Sequence, residues 1–408
     1  MSTITIIGAG QSGLQLGIGL LDNGYDVTIV SDRTPDQIAA GRVSSSQCMF
    51  GSALAREAAL GLDFWSKECP PVEGVGFAVP GPDGTPAFSW SSRLDLPAQS
   101  VDQRVKMPKF MDEFTRRGGT LVLDSADLDD LEKYSSTSDL VIVAAGKGEI
   151  AKLFSRDDIR SVHTAPARAL ALTYVTGMTP RTPYSSVAFN LIPGVGEYFV
   201  FPALTTSGPC EIMVMEGIPG GPMDCWSDIT SPDEHLARAK WVVDTFTPWE
   251  SERSAGIELT DPNGTLAGRF TPAVRHPVAT LPSGAPVLGM ADVVVLNDPI
   301  TGQGSNNASK CAASYLASIL EHGDAPFDAT FMQDTFERYW DYAKYVVDWT
   351  NALLSPPPEH VLALLGGAAA DNRITRRFVN GFDDPRDFFN WFMDPALAAS
   401  EYLTPVAS

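Results

Sequence analysis

The chain opens on Thr3 to Gly13, TITIIGAGQSG, a β-branched run that breaks directly into a turn with glycines at 8, 10 and 13. That spacing meets three needs at once: a tight turn, room for a pyrophosphate to approach the backbone, and close packing of a helix on the strand it follows. Leu14, Leu16, Ile18, Leu20 and Leu21 supply the apolar positions of such a helix, Gly24 can stop it, and Tyr25 to Val30 reads as a second parallel strand. Asp32 stands about twenty residues past the third glycine, where an acid grips a ribose hydroxyl. The succession of strand, turn, helix, strand and acid reads as a dinucleotide site and commits the N-terminal region to a parallel α/β fold. A glycine-rich turn in some other parallel sheet would have to produce both the spacing and the acid by chance. The motif does not distinguish NAD, NADP and FAD.

With 408 residues, 44% hydrophobic and 19% charged, the chain can build two or three domains with ordinary cores. Fifty acidic against 29 basic residues leave a formal charge of -21, which argues against nucleic acid or an anionic membrane as the main partner. No apolar run approaches the roughly 20 residues of a membrane span, and the glycine motif begins too early to leave room for a signal peptide, so a cytoplasmic protein is expected. Cys48, Cys69, Cys210, Cys225 and Cys311 are odd in number, scattered and without a CxxC pair, and read as structural thiols. The histidines at 163, 235, 276, 322 and 360 show no metal-ligand spacing, and no GxSxG accompanies them. Neither a metal site nor a serine hydrolase is expected.

Along the chain, Arg33 to Ser46 is a polar loop in which Arg42 is either a phosphate-side guanidinium or a solvated arginine. Residues 52–66 look helical. Proline and glycine clusters over 70–86 alternate with short strand-like pieces, Gly76 to Val79 and Phe88 to Trp90, where the chain leaves the first domain. Asp102 to Arg117 reads as an amphipathic helix and Thr120 to Leu123 as a strand returning to the cofactor sheet. Ser138 to Gly148, SDLVIVAAGKG, is a buried strand ending in a second glycine turn. From about 170 to 269 the pattern is rich in strands and turns, Leu170 to Tyr174, Ser186 to Leu191, Tyr198 to Phe201 and Glu211 to Glu216, with a helix near 232–246 covering one face. Val287 to Val295 reads as a further strand, and NDPITGQGSNNA (297–308) as a turn opening a helix. From about 328 the sequence is helical to the end, and its aromatic positions, Phe331 to Trp349, read as packing.

Three of these stretches, GAGQSG, SDLVIVAAGKG and VLGMADVVVLNDPITGQGSNNA, together resemble FAD-dependent aromatic monooxygenases. Within that group VTIVSDRTPD, SVDQRV, AAGKG and DPITGQGSNNAS are most similar to the oxygenase component of two-component styrene and indole monooxygenases, over nearly the full length. The fold this resemblance implies is α/β: a Rossmann-type FAD-binding domain of the aromatic hydroxylase fold (1–70, 99–169 and 270–327), an inserted antiparallel β-sheet substrate domain (71–98 and 170–269) and C-terminal helices (328–408). It implies that Gly8, Gly10, Gln11, Ser12 and Gly13 hold the ADP pyrophosphate, Asp32 and Arg33 the ribose and adenine end, and Arg42 and Arg104 the phosphate side. Gly146 belongs to the middle glycine site and Asp292 to the ribityl chain. Pro299, Gly302, Gln303 and Gly304 form the turn beside the isoalloxazine, with Asn306 or Asn307 assisting. No metal and no side-chain nucleophile is implied. Single-component hydroxylases carry Asp-Gly in the middle motif, used with NADPH, whereas Ala145 precedes Gly146 here, so the machinery for reducing the cofactor looks absent.

The activity implied is capture of FADH2 made by a separate NADH-dependent flavin reductase and reaching the chain by diffusion, reaction with O2 to a flavin hydroperoxide, and epoxidation of a small aromatic substrate, indole at C2–C3 or a styrene-type alkene. A self-sufficient NAD(P)H-dependent FAD hydroxylase and a non-catalytic dinucleotide-binding regulatory protein are the alternatives. Within the resembling group, Ser45, Gln47 and Ala98 match the indole-preferring members and Val75 fits neither subgroup. On that basis Gln47 would accept the indole N–H and Ala98 would leave room for a bicyclic ring.

Overall fold

The computed structural model describes residues 2–145 and 150–403. Thr3–Ile7, Asp26–Ser31, Thr120–Leu123, Leu140–Val143 and Pro286–Gly289 are parallel strands of one sheet, with Thr3–Ile7 between Leu140–Val143 and Asp26–Ser31. Val278–Thr280 closes one edge in antiparallel pairing with Pro286–Gly289. Ile4, Ile6, Ile7, Val27, Ile29 and Val30 are all buried, which is why these strands read as unbroken apolar runs rather than as an alternation. The Gln11–Asp22 helix follows the first strand. Its Gly17 and Gly19 let Ile29 of the sheet and Leu316 of the Gly304–His322 helix come within 2.8 and 2.6 Å of where a Cβ would stand.

The second sheet takes strands from two separate excursions of the chain. Pro71–Pro80 and Pro86–Gln99 make a long hairpin; Ala169–Thr176, Ser186–Ile192, Gly196–Thr205 and Gly208–Gly217 follow, with short Glu258–Leu259 and Thr265–Gly268 pairing onto Ala169–Thr176. An antiparallel sheet is expected from the sequence, and one junction departs from it. Gly74 to Ala78 pair in parallel with Ser186 to Asn190, because the hairpin and the later strands enter the sheet by independent crossovers. One face of this sheet packs Val200, Met213 and Met215 against the Pro232–Phe246 helix. The other packs Phe77, Trp90, Phe199 and Phe201 against the C-terminal helices, through Trp349, Phe378, Phe388 and Trp391. The 25-residue Ala329–Leu353 helix belongs to both cores, giving Phe336 and Tyr339 to the first and Trp349 to the second.

Three local features differ from expectation. The strand pieces at 76–79 and 88–90 are fragments of the longer hairpin, whose bulge between Val72 and Gly74 breaks the alternation that reveals a strand. The run Val287 to Val295 is not one strand: it stops at Gly289, and Ala291 takes φ 52° to start a 3-10 turn, Ala291–Val293. A helix over Leu128–Thr137, capped by Asp127, carries no strong apolar period and has a single fully buried residue, Leu131. Among the described residues no helix is long and apolar enough to cross a membrane, and no group of three or more His, Cys, Asp or Glu is placed to hold a metal ion.

Phe378 joins the sheet to the C-terminal helices, its ring 5.5 Å from Trp90 and 5.6 Å from Phe388 at 1% exposure. Phe378→Ala is expected to lower the unfolding free energy by roughly 3–5 kcal/mol, measured by urea titration, because a rigid aromatic wall cannot collapse into the hole.

Candidate functional site

The three N-terminal glycines divide into two kinds. A Cβ at Gly13 would stand 2.1 Å from the Gly8 carbonyl oxygen, and one at Gly8, where φ is +121°, would stand 2.8 Å from the Ala145 backbone nitrogen. Those two positions are closed by the chain itself. A Cβ at Gly10 would meet nothing within 4 Å, so the space over the turn is open. Gly10 is the N-cap of the Gln11–Asp22 helix and offers no side-chain cap, so the first N–H groups of the helix face that space, which suits an anion. Below it Gln11 Nε2 donates to Glu57 at 2.7 Å, and Glu57 is ion-paired with Lys106 at 2.5 Å, all three residues being buried. Asp32 follows the second strand with its carboxylate mostly exposed, and Arg33 is exposed beside it.

A second open helix start lies at the far glycine turn. Pro299–Thr301 make a single 3-10 turn, Gly302 takes φ 63°, and the Gly304–His322 helix begins without a side-chain cap. Neither Gly302 nor Gly304 would bring a Cβ within 4 Å of any atom. Asn306 is not available to a ligand: Nδ2 donates to the carbonyls of Cys48 (2.8 Å) and Gly302 (3.0 Å), and Oδ1 accepts from Phe50 N–H (2.9 Å). Asn307 is the reverse, a buried amide whose Oδ1 and Nδ2 both lack a partner. Gln303 Oε1 is likewise unpartnered. Two uncapped helix starts, open space at each and an amide without a partner among the described residues beside the second suit an elongated ligand that carries negative charge, as the dinucleotide expected from the sequence does.

The Pro299–Gly302 turn also forms one wall of a cavity of about 490 Å³, open mouth included. Its other walls are apolar: Val75, Phe189, Phe199, Phe201, Val214 and Phe382. The facing positions follow from strand alternation, since 199 and 201, and 212 and 214, share the face that Phe77 and Trp90 also present. The next residue on that face is Glu216, fully buried, lining the cavity, its carboxyl against that of Asp298 and neither oxygen accepting a hydrogen bond from a described residue. Sheet register sets Glu197 directly opposite it, held by Arg168 at 2.7 and 2.9 Å. Burial, then the nearby Asp298 and Glu197 carboxyls, hold Glu216 well above the usual carboxylate range. Asp298, which caps the Pro299 turn through Ile300 N–H, is also raised by burial.

The expected pocket residues fare unequally. Val75 lines the cavity. Ser45 and Gln47 do not; Ser46 and Cys48 do, because side chains alternate along this extended segment and the expectation was one residue out of step. Gln47 donates from Nε2 to Tyr174 Oη (3.3 Å), and its Oε1 accepts from Ser45 Oγ (2.7 Å), so both ends of its amide are engaged. Ala98 is buried opposite Val72 in the hairpin and is not on the cavity lining. Burial pushes the Cys48 thiol up to about 12, which keeps it protonated and inert.

Arg104 also departs from its expected place at the phosphates. Nε donates to Asp102, Nη1 and Nη2 to Asp261, and Nη2 to Thr205, at 2.9 to 3.0 Å, so the guanidinium ties the Gln103–Arg116 helix to a turn of the second sheet. Arg42 is exposed, as is Asp292 after the Ala291 turn. Ser12 is buried in the first turn of its helix. Gly146 lies outside the described residues. Glu216 and the aromatic wall were missed; the signal that marks them is the alternation Ile212, Val214, Glu216, which sets an acid on an apolar face.

Residues 146–253 match the family described as "Styrene monooxygenase A putative substrate binding domain". Over 402 residues the chain is 29% identical to styrene monooxygenase StyA of Pseudomonas fluorescens, covering 96% of this chain and 95% of that one. The same figures hold for styrene monooxygenase StyA of Pseudomonas sp.. Among solved structures it is similar to the flavin-dependent brominase Bmp2, with TM-score 0.63, 15% identity and coverage of 95% and 97%. A flavoprotein/dehydrogenase from Cytophaga hutchinsonii gives TM-score 0.67 at 12% identity, covering 97% and 95%. These two share the fold.

The glycine geometry separates folding from binding. Gly13→Ala is expected to unfold or lower Tm strongly, since backbone must move. Gly10→Ala is expected to keep the wild-type Tm while weakening FAD binding by about 1 kcal/mol or more, measured by flavin fluorescence titration.

Proposed function

We propose that this chain, which belongs to the styrene-type flavin-dependent monooxygenases, is the oxygenase component of a two-component system that takes FADH2 from a separate NADH-dependent reductase by diffusion. The observation that carries the reading is that one turn, Pro299–Gly302, is both a wall of the apolar cavity and the approach to an uncapped helix start. A ring held there meets a substrate held in the cavity. Bound FADH2 supplies the electrons that activate O2, so that an aromatic alkene gains one oxygen as an epoxide while FAD and water leave.

The chain's own part is binding, orientation and exclusion of water. The Gly10 turn and the N–H groups of the Gln11–Asp22 helix hold the pyrophosphate, Asp32 the ribose, with Arg33 and Arg42 at the solvent side and Asp292 at the ribityl chain. Backbone N–H groups at Gln303 and Gly304, with the Asn307 amide that no described residue partners, would stabilise negative charge on the reduced ring. Phe189, Phe199 and Phe201 keep water from the reacting atoms. No side chain is asked to act as a nucleophile. The substrate class is a small planar aromatic with a reactive double bond, indole at C2–C3 or a styrene-type alkene, and the setting is the cytoplasm, where NADH is made.

Purified chain with FAD, NADH, O2 and a generic flavin reductase is expected to convert styrene to its oxide and indole to indigo, and to consume no NADH when the reductase is omitted. NADH oxidation by the chain alone would establish the self-sufficient hydroxylase instead; absence of any product with the reductase would leave a binding protein. Gly304→Val adds a side chain at a position where a Cβ has no other protein group within 4 Å. It is expected to keep Tm and lower product per NADH at least about tenfold, by excluding the ring or tilting it out of line with the cavity.

A further inference from the structure

One polar group on the cavity lining has no hydrogen-bond donor among the described residues: the carboxyl of Glu216, which lies against the Asp298 carboxyl. Buried side-chain oxygens nearly always have a hydrogen-bond partner, yet neither carboxyl oxygen of Glu216 accepts a hydrogen bond from a described residue, at 0% exposure and while the side chain lines the cavity. The other polar side chains on the lining are already served. Thr301 Oγ1 shares a hydrogen bond with Thr350 Oγ1 at 2.8 Å, and Ser46 is partly exposed. The nearby charges do not supply a partner either. Arg168 is closed on Glu197 through two hydrogen bonds and acts on Glu216 and Asp298 only through space, so these two buried carboxyls meet each other. Two negative charges side by side in such a place are costly, and burial and the neighbouring acids both favour a protonated Glu216. With its hydroxyl donated to the Asp298 carboxylate, a neutral Glu216 keeps a carbonyl oxygen that accepts a hydrogen bond.

Resting on the oxygenase reading above, we propose that Glu216 is the specificity-determining residue of the cavity, accepting a hydrogen bond from the ring N–H of a bicyclic heteroaromatic such as indole. A carbocyclic alkene leaves Glu216 unsatisfied when it enters; an N–H-bearing ring satisfies it. Discrimination therefore comes from a group left unpaired by the wrong ligand, which selects more sharply than cavity size. Glu216 takes the part that the sequence assigns to Gln47, whose amide is held by Tyr174 and Ser45.

The test is equilibrium binding to the full chain loaded with FAD, read by calorimetry, with indole, its carbocyclic isostere indene, and N-methylindole. Wild type is expected to bind indole at least about tenfold more tightly than either analogue. Glu216→Gln, which keeps a carbonyl acceptor, is expected to retain the preference, and Glu216→Met, which fills the same space without one, to lose it. Equal binding of indole and indene by wild type overturns the proposal, as does a Glu216→Met variant that still prefers indole. Should Glu216→Met not fold, the wild-type and Glu216→Gln comparisons decide alone. No turnover is read, so a chain that discriminates in binding but makes no product sinks only the oxygenase reading. One that oxidises both substrates but binds indole and indene alike sinks only the role of Glu216.

Discussion

The Gly8 carbonyl stands so near the Cα of Gly13 that no side chain fits between them, and the placement of both halves of the site depends on this contact. It presses the Gln11–Asp22 helix onto the first strand with its N-terminus at the end of the sheet. The Gly304–His322 helix then lies along it in the same direction. Gln15 Nε2 reaches the Ser309 carbonyl at 3.3 Å, Leu316 packs on Gly19, and Tyr25 Oη reaches the Ile319 carbonyl, each contact further along both chains. Two parallel helices thus present two uncapped starts on the same side. Anion-binding ends of this kind are ordinary singly; as a pair they suit a ligand charged at both ends.

From that frame the cavity is hung by a single side chain. Asn306 bonds the carbonyls of Cys48 and Gly302 and the N–H of Phe50, so the Pro299–Gly302 turn and the segment carrying Ser46 and Cys48 move together. Lys310, one turn further on the same helix, reaches the Asp383 carbonyl and Tyr342, while Asp383 caps the Gly51–Ala59 helix through Ser52. The Gly304–His322 helix therefore also anchors the C-terminal region that roofs the cavity. Burial holds the Lys310 ammonium down, to about 8, in keeping with its place between these elements.

How much of this is legible in the sequence depends on how local the cause is. The glycine turn, its helix and the second strand are dictated within thirty or so residues, by hydrophobic period and by what a glycine permits. The late glycine turn is legible for the same reason. The partner of Arg104 is not, because Asp261 comes from a different sheet and no local pattern announces it. Nor does spacing tell Ser45 and Gln47 from Ser46 and Cys48, since the phase of an extended segment is set by what it leans on, here the pairing of Met49 with Gln99. The role of Asn306 against Asn307 is decided in the same way: one faces the 48–50 segment, the other does not.

The parallel pairing of Gly74 to Ala78 with Ser186 to Asn190 has a consequence for how the chain is made. Val75 and Phe189 line the cavity from adjoining strands of one sheet but come from the two separate excursions, so the hairpin over 71–99 emerges long before the strand that covers its inner edge. Until then it carries an unpaired row of backbone donors and acceptors. Its partner edge is shielded by Pro86, Pro97, Arg93 and Asp95, and the inner strand is bounded by Pro71 and Pro80. Because the junction joins Gly74 to Ser186, the wall of the cavity is complete only after the whole chain between them has been made, and the hairpin keeps an open edge throughout that interval.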